Sequence, residues 1–385
     1  MTMGSTNGAL DIQPVTDRSG LKTFIDLPNR LYRDRSGYVP PLNVERDETL
    51  NSRKNAYYQH ARGQYWLALR NGQPVGRISA QIDRLHLERY KDDAGHFGLL
   101  DAEDDQEVFA SLLATAETWL RERGMKQVRG PFNLSINEEC GLLVDGFDYP
   151  AMMLMPFAPD YAARRLGMEG YEPAKDLLAY TLDVHENIVI RGERMLDRIS
   201  KEARITVRPV EMKRYKQELG VVLDIFNDAW ADNWGFIPFT DAEMRQIAKG
   251  MRPLVRPSMN YIAKVDGEPA AMLICLPNLY EIIHDLDGKL LPLGWAKLLW
   301  RLKTHRFESC RVPLMGIRQR YQGSMIGSAL LPLMFKSLHH GLMAEGFKKL
   351  EMSWILDDNM PMRRILEGLG AEAYRTYRLF EKPLV

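Results

Sequence analysis

The sequence predicts an α/β (α+β) protein of two tandem domains on one plan, each a mixed twisted sheet flanked by helices. Three repeated passages predict it. "QYWLALRNGQPVGRISAQID" (64–83) and "NYIAKVDGEPAAMLICLPN" (260–278) each set apolar alternation around Asn-Gly or Asp-Gly, the signal of a tight hairpin. "FASLLATAETWLRERGMKQVRG" (109–130) and "MFKSLHHGLMAEGFKKLEMSW" (334–354) each read as amphipathic helix, glycine stop and strand. "YAARRLGMEGYEPAKDLLAYTL" (161–182) and "MRRILEGLGAEAYRTYRLFEK" (362–382) each give a short helix, a glycine ending and a final strand.

Taken in order, residues 1–10 read as a disordered end, since "MTMGSTNG" lacks the basic and apolar regions of a signal peptide. The first domain spans 11–184. Within it, "DAGHFGLLDAEDDQE" (93–107) precedes the helix with a cluster of carboxylates, and "GPFNLSINEECGLLVDGFD" (130–148) reads as strand. The dense charges of 185–203 read as a solvated connecting helix, and the second domain spans 204–385. There, Thr240-x-x-Glu243 is a capping box opening a helix. "RYQGSMIGSALLPLMFKS" (320–337) is a glycine turn running into a long helix that Pro332 should kink.

Composition limits what the chain can do. Lys plus Arg and Asp plus Glu number 51 each, so general affinity for nucleic acid is not expected and any anion site must be local. Cys140, Cys275 and Cys310 form neither a CxxC pair nor a disulfide framework, which fits a reducing cytoplasm. The eight histidines lack ligand spacing, so no metal is expected. No apolar run reaches the ~20 residues that span a bilayer.

The order hairpin, strand, glycine turn, helix, strand, helix, Leu-Gly, strand resembles the GNAT acyltransferase family, more strongly over 204–385 than over 64–183. The family's phosphate loop runs Gln or Arg, two residues, Gly, one residue, then Gly or Ala. Here it stands as Arg320-Tyr321-Gln322-Gly323-Ser324-Met325, followed by Ile326-Gly327, with Met325 replacing the second small residue. "CRVPLMGI" (310–317) is similar to the strand along which the family lays pantetheine, and Asn359 to the Asn after its fifth strand. The family's acid Tyr, two residues before Leu369-Gly370, is absent, and Glu367 stands there. The resemblance implies one acyl-CoA site per chain. Backbone N–H groups of 322–327 and the helix start would hold the pyrophosphate, with Arg318 and Arg320 adding charge. The carboxylates of 93–107 would repel a pyrophosphate from the first half.

In that family the connection between the first two helices walls the acceptor site, so the resemblance implies an acceptor site at "NDAWADNWGFIPFTDAEM" (227–244), where Trp234 and Phe236 would face a bulky apolar amine and Asp232 and Asn233 would anchor it. Trp230 reads better as core. Within 130–148, Asn137 and Glu139 would share one side of a strand. An amine must be neutral to attack a thioester, so Glu139 or Asp232 is expected as general base in the cleft between halves, its pKa raised by burial beside aromatics. Cys140 reads as a small buried hydrophobe. "KLLPLGWAKLLWRLKTHR" (289–306) has five Lys or Arg and no acid. Trp295, Leu298 and Leu302 form one stripe and Lys297 and Arg301 another, the pattern either of an interfacial helix on anionic lipid or of an amphipathic core helix.

"GPFNLSINEECGLL" and "WADNWGFIPF", with the long tandem layout, look like the bacterial ceramide synthase group. That resemblance implies a cytoplasmic enzyme, peripheral on the inner face of the membrane, that transfers a long fatty acyl chain from acyl-CoA to the amine of a sphingoid base. Transfer to an aminoacyl or peptide amine, and a catalytically silent acyl-CoA-binding regulator, are the alternatives.

Overall fold

The computed structural model describes residues 8–185 and 193–384. The first half of the chain opens with β1 (Leu10–Pro14), α1 (Arg18–Tyr32) and α2 (Asn43–Leu50). A hairpin of β2 (Ala61–Arg70) and β3 (Gln73–Asp83) is followed by α3 (Arg84–Tyr90), β4 (Ala94–Ala102), α4 (Gln106–Arg121) and β5 (Gln127–Gly130). Short strands β6 (Phe132–Asn133), β7 (Glu139–Cys140) and β8 (Leu142–Asp145) precede α5 (Ala162–Met168) and β9 (Glu172–Asp183).

The second half repeats the scheme. α6 (Glu193–Glu202) leads to β10 (Ile205–Pro209), α7 (Tyr215–Ala229), α8 (Asp241–Met251) and the hairpin β11 (Tyr261–Val265) and β12 (Glu268–Pro277). After α9 (Tyr280–Ile283) and α10 (Gly294–Thr304) come β13 (Ser309–Ile317), α11 (Met325–Glu345), β14 (Lys349–Leu356), α12 (Met360–Gly368) and β15 (Glu372–Pro383). Both hairpin turns use the left-handed conformation their sequences anticipate, at Asn71-Gly72 and Asp266-Gly267.

The chain folds into two compact units that do not follow the boundary read from the sequence. One is Met1–Asp176 with Ile283–Leu299 and Tyr377–Val385; the other is Leu177–Ile282 with Trp300–Thr376. In the first unit β1, β2, β3 and β4 pair antiparallel in turn. β5 then adds parallel to β4, and the end of β15 closes the edge, with Phe380 opposite Gly130. The second unit orders β10, β11, β12 and β13 antiparallel. It adds β14 parallel to β13 and closes with the end of β9, Asp183 opposite Lys349. Each half therefore supplies the last strand of the other half's unit.

Helices α4 and α11 make the crossovers between the parallel pairs, as such connections require. α4 buries Val108, Phe109, Leu112, Leu113, Ala116 and Leu120, and α11 buries Leu330, Leu331, Met334, Phe335, Leu338 and Leu342, despite Pro332 within it. Of the expected disordered end, residues 1–7 lie outside the described residues, and Leu10 already opens β1. Of the expected connecting helix, 186–192 lie outside them too. α6 is not wholly solvated, for it buries Leu196 and Ile199.

Candidate active site

β13 and β14 pair only from Ser309 opposite Lys349 to Val312 opposite Met352. Pro313 has no N–H to continue the ladder, and from there the two strands part. The opening is a wedge of about 460 Å³, part of it open solvent. Val312, Pro313 and Met315 line one side and Met352, Trp354 and Leu356 the other, while Trp230, Asn233, Asn359 and Met362 complete it. The indole N–H of Trp230 donates to the Met315 carbonyl (3.0 Å), and its ring lies 4.7 Å from Phe226 and 5.8 Å from Trp354. At the root of the wedge the buried Arg311 faces Glu351 across the strands and donates to Ser353 Oγ (2.9 Å). Ser353 and Tyr374 both donate to the Glu351 carboxylate.

After β13 the chain turns through Arg318 to Ser324 into α11. Gly323 has φ +69°, with nothing within 4 Å of an added Cβ, so the turn is open on that side. Ser324 caps the helix, its hydroxyl accepting the Gly327 N–H (3.0 Å). The N–H groups of Gly323, Met325 and Ile326 find no acceptor among the described residues. This is the exposed positive end of a 21-residue helix, suited to an anion.

The expected phosphate-site residues differ in availability. Arg320 is exposed, its guanidinium over the ring of Tyr321 (4.8 Å), with no carboxylate partner among the described residues. Arg318 is already engaged, by the Asp224 carboxylate and the Pro269 carbonyl (2.8 Å). It holds the turn in place, and the added charge expected of it is largely neutralised. Gln322 donates to the Ala229 and Ile317 carbonyls (3.0 and 2.9 Å) and fixes the turn against α7. Met325, where the family places a small residue, is 74 % exposed and blocks nothing. Asn359 caps α12 by accepting the Met362 N–H (3.2 Å) and lines the wedge.

The acceptor candidates separate. Asn233 lines the wedge. Asp232 beside it is exposed and accepts from the Gln319 side chain (2.7 Å), so the expected burial beside aromatics does not hold for it. Trp234 is half-buried and outside the wedge lining. Phe236 is 4 % exposed, in the core with Val222, Phe226, Phe239 and Met272, so packing accounts for it. The Thr240–Glu243 capping box is present.

In the other unit, residues 134–138 are a turn between β6 and β7, so Asn137 and Glu139 do not share a strand face; the partner of Glu139 is Asn133. The Glu139 carboxylate accepts from Arg46 and from Asn133 Nδ2 (3.1 Å). Burial pushes its pKa up, but the Arg46 charge, the two hydrogen bonds and Arg77 outweigh burial and hold it below its ordinary value. The expected upward shift is thus reversed. Cys140 is buried, 2 % exposed.

In this unit the place matching the wedge is filled. A Cβ on Gly98 would stand 1.7 Å from the Phe132 carbonyl oxygen, and Asn133 accepts the Leu99 N–H (2.9 Å). Between β4 and α4 only Glu103, Asp104 and Asp105 remain, and Asp105 caps α4 itself.

Sequence reasoning pointed to β13, and so to Met315, but it read Trp230 as core alone, though it packs on the core and also lines the wedge, and it missed the facing walls Met352 and Trp354. The signal was Pro313 within "CRVPLMGI", a ladder break in a central strand. A tyrosine also meets α12 from an unexpected place. Tyr180 of β9 donates to Glu367 (2.8 Å) and accepts from Arg363 (3.0 Å), and burial followed by the Glu367 hydrogen bond raises its pKa. Among the described residues no group of three or more His, Cys, Asp or Glu is placed to hold a metal ion, and no helix is long and apolar enough to cross a membrane.

Comparison with known proteins finds relatives over the full length of the chain. The chain is 45 % identical over 385 residues, all of both proteins, to the bacterial ceramide synthase of Caulobacter vibrioides (strain NA1000 / CB15N). It is 43 % identical over 374 residues to Protein YghO of Escherichia coli (strain K12), covering 97 % of this chain and 95 % of that one. Among solved structures it is similar to a tandem GNAT protein from the clavulanic acid biosynthesis pathway, with a TM-score of 0.56 and 13 % identity over 98 % of this chain and 99 % of that one. No family model matches the chain.

Proposed function

The chain belongs to the bacterial ceramide synthase family, an N-acyltransferase on a tandem GNAT fold, and from that premise we propose that it moves a long fatty acyl chain from acyl-CoA to the amine of a sphingoid base. The observation that carries the acyl-CoA half of this reading is the wedge between β13 and β14, together with the turn that follows β13 into α11. A slot walled by methionine, tryptophan and leucine suits an extended, largely apolar arm. The unsatisfied amides of Gly323, Met325 and Ile326, with Arg320 beside them, suit its pyrophosphate. Tyr321, Gln322, Ser324 and Gly327 shape that turn, and Asn359 borders the slot. No metal is needed.

In the transfer, the neutral amine attacks the thioester carbonyl carbon. The C–N bond forms, the C–S bond breaks, the ammonium proton passes to a carboxylate, and the CoA thiolate leaves and is protonated. Asp232 is the proposed base, since it adjoins Asn233 of the wedge wall and is not tied to a cation among the described residues. Asn233 orients the reacting carbonyl and Trp234 borders the acceptor. Glu139, held ionised by Arg46, is not the base in this reading. A sphingoid base is a membrane lipid, so the enzyme would meet its acceptor at the cytoplasmic face of a bilayer.

Thiol release from palmitoyl-CoA, with and without sphinganine, tests the reading. Amine-dependent release with a matching amide by mass spectrometry is expected, and Asp232→Asn should lower kcat by about 10²-fold with acyl-CoA binding intact. Binding without release under any amine would leave a silent acyl-CoA binder. Release only with an aminoacyl amine would move the acceptor to another class.

A further inference from the structure

α10 has no buried residue. A helix of 11 residues is marginal in water on its own propensity, and most helices are stabilised by an apolar face packed on a neighbour. Here five apolar residues of α10 and the turn before it point outward. Leu291 is 81 % exposed, Leu293 73 %, Trp295 50 %, Leu299 53 % and Trp300 64 %. These five are concentrated within ten residues, where soluble proteins ordinarily scatter such groups.

The stripes differ from those read in the sequence. Leu298 and Leu302 are half-buried with Arg301, whose guanidinium donates to the Ile282 carbonyl (2.7 Å), and Lys297 pairs with Asp285. The inner side is therefore pinned by its own cations. The outer side keeps the two tryptophans and Leu299, together with Lys303.

We propose that the segment 289–306 is a docking surface for an anionic lipid bilayer, with Leu291, Leu293, Trp295, Leu299 and Trp300 entering the headgroup–acyl boundary. Charge selects this occupant. Residues 288–307 hold Lys289, Lys297, Arg301, Lys303 and Arg306 and no Asp or Glu. Lys289, Lys303 and Arg306 are exposed and have no partner among the described residues. Trp and Leu flanked by unpaired cations is the make-up of a helix lying in an interface. A second copy is disfavoured, because a two-fold contact would set this uncompensated positive segment against itself. The proposal deepens the lipid-acceptor reading, for it gives the enzyme a place at its acceptor's source.

Vesicle flotation tests it on the full chain. Wild type should float with equimolar phosphatidylglycerol and phosphatidylcholine at low salt, less at high salt, and far less with phosphatidylcholine alone. Each cation near such a surface is worth about 1 kcal/mol, or roughly fivefold, so K303E/R306E should weaken binding by about 30-fold or more. Brominated acyl chains should quench wild-type tryptophan fluorescence and lose that extra quenching in W295F/W300F. All four positions are exposed, and unchanged melting curves would confirm folded variants. Absence of low-salt binding, or binding unaffected by both variants, overturns the proposal. So does self-association that Trp300→Ser abolishes in a protein that ignores vesicles. Thiol release from palmitoyl-CoA is scored separately, so failure of docking and failure of the acyltransfer reading are told apart.

Discussion

Arg46 and Glu139 meet with side chains 16 % and 12 % exposed, and Asn133 fills another acceptor position on the carboxylate. A carboxylate whose folded pKa is depressed adds stability above its unfolded value, about 4.3, and loses it as pH falls through the lower folded value. Glu139→Gln would leave Arg46 with only the more exposed Glu45 (3.5 Å) as counter-charge. At pH 7 it should cost about 3 kcal/mol, the usual result of breaking a mostly buried pair. Thermal melts should show that gap persisting down to about pH 4 and closing only below it. A gap independent of pH would mean packing, and not charge, is what the glutamate supplies. The sequence could offer Glu139 as a candidate but not this outcome, because its counter-ion lies 93 positions away on α2. Adjacent residues describe a local chemistry, and pKa is set by whatever folding brings in from elsewhere.

The turn from β13 into α11 was the passage most open to reading from sequence. Glycine before a capped helix has a local cause, and local causes survive without tertiary knowledge. Gly323→Ala would place a side chain in the left-handed region at a cost of about 1 kcal/mol, with free space around it. It should therefore fold and keep most of its acyl-CoA affinity. Gly323→Glu puts a negative charge at the same point, and calorimetry should show affinity falling by about 10²-fold or more with the fold intact. Equal affinities for the two variants would remove the pyrophosphate from this turn. The wedge was less legible. Its walls come from the segment after α7, from β13 and β14, and from the start of α12, and only Pro313 marks it in one dimension. α10 was legible as a helix but its stripes were not: Trp295 is exposed while Leu298, Leu302 and Arg301 are half-buried, since a 3.6-residue repeat does not say which face has a partner.

The duplication was legible because each half repeats its own turn chemistry and helix periods. The exchange of last strands was not, since β9 and β15 have matching patterns and either could close either sheet. Tyr377, Leu379 and Phe380 are buried in the first unit, and Glu381 and Lys382 bond Arg129 and Glu117 there. Deleting residues 377–385 should thus destabilise the unit at the opposite end of the sequence. Hydrogen exchange should show β4 and β5 losing protection before β12 and β13. Loss confined to the second unit would contradict the exchange. The same feature bears on how the protein is made. When the ribosome has released the first half, β5 still lacks its neighbour, and roughly 200 more residues must be added before that strand exists. At about 5–20 residues per second this is a wait of roughly 10–40 s. Throughout it the nascent chain carries an unpaired sheet edge of the kind that recruits foreign strands. Translation speed across the second half, and not only equilibrium stability, then sets how much of the newly made protein escapes aggregation.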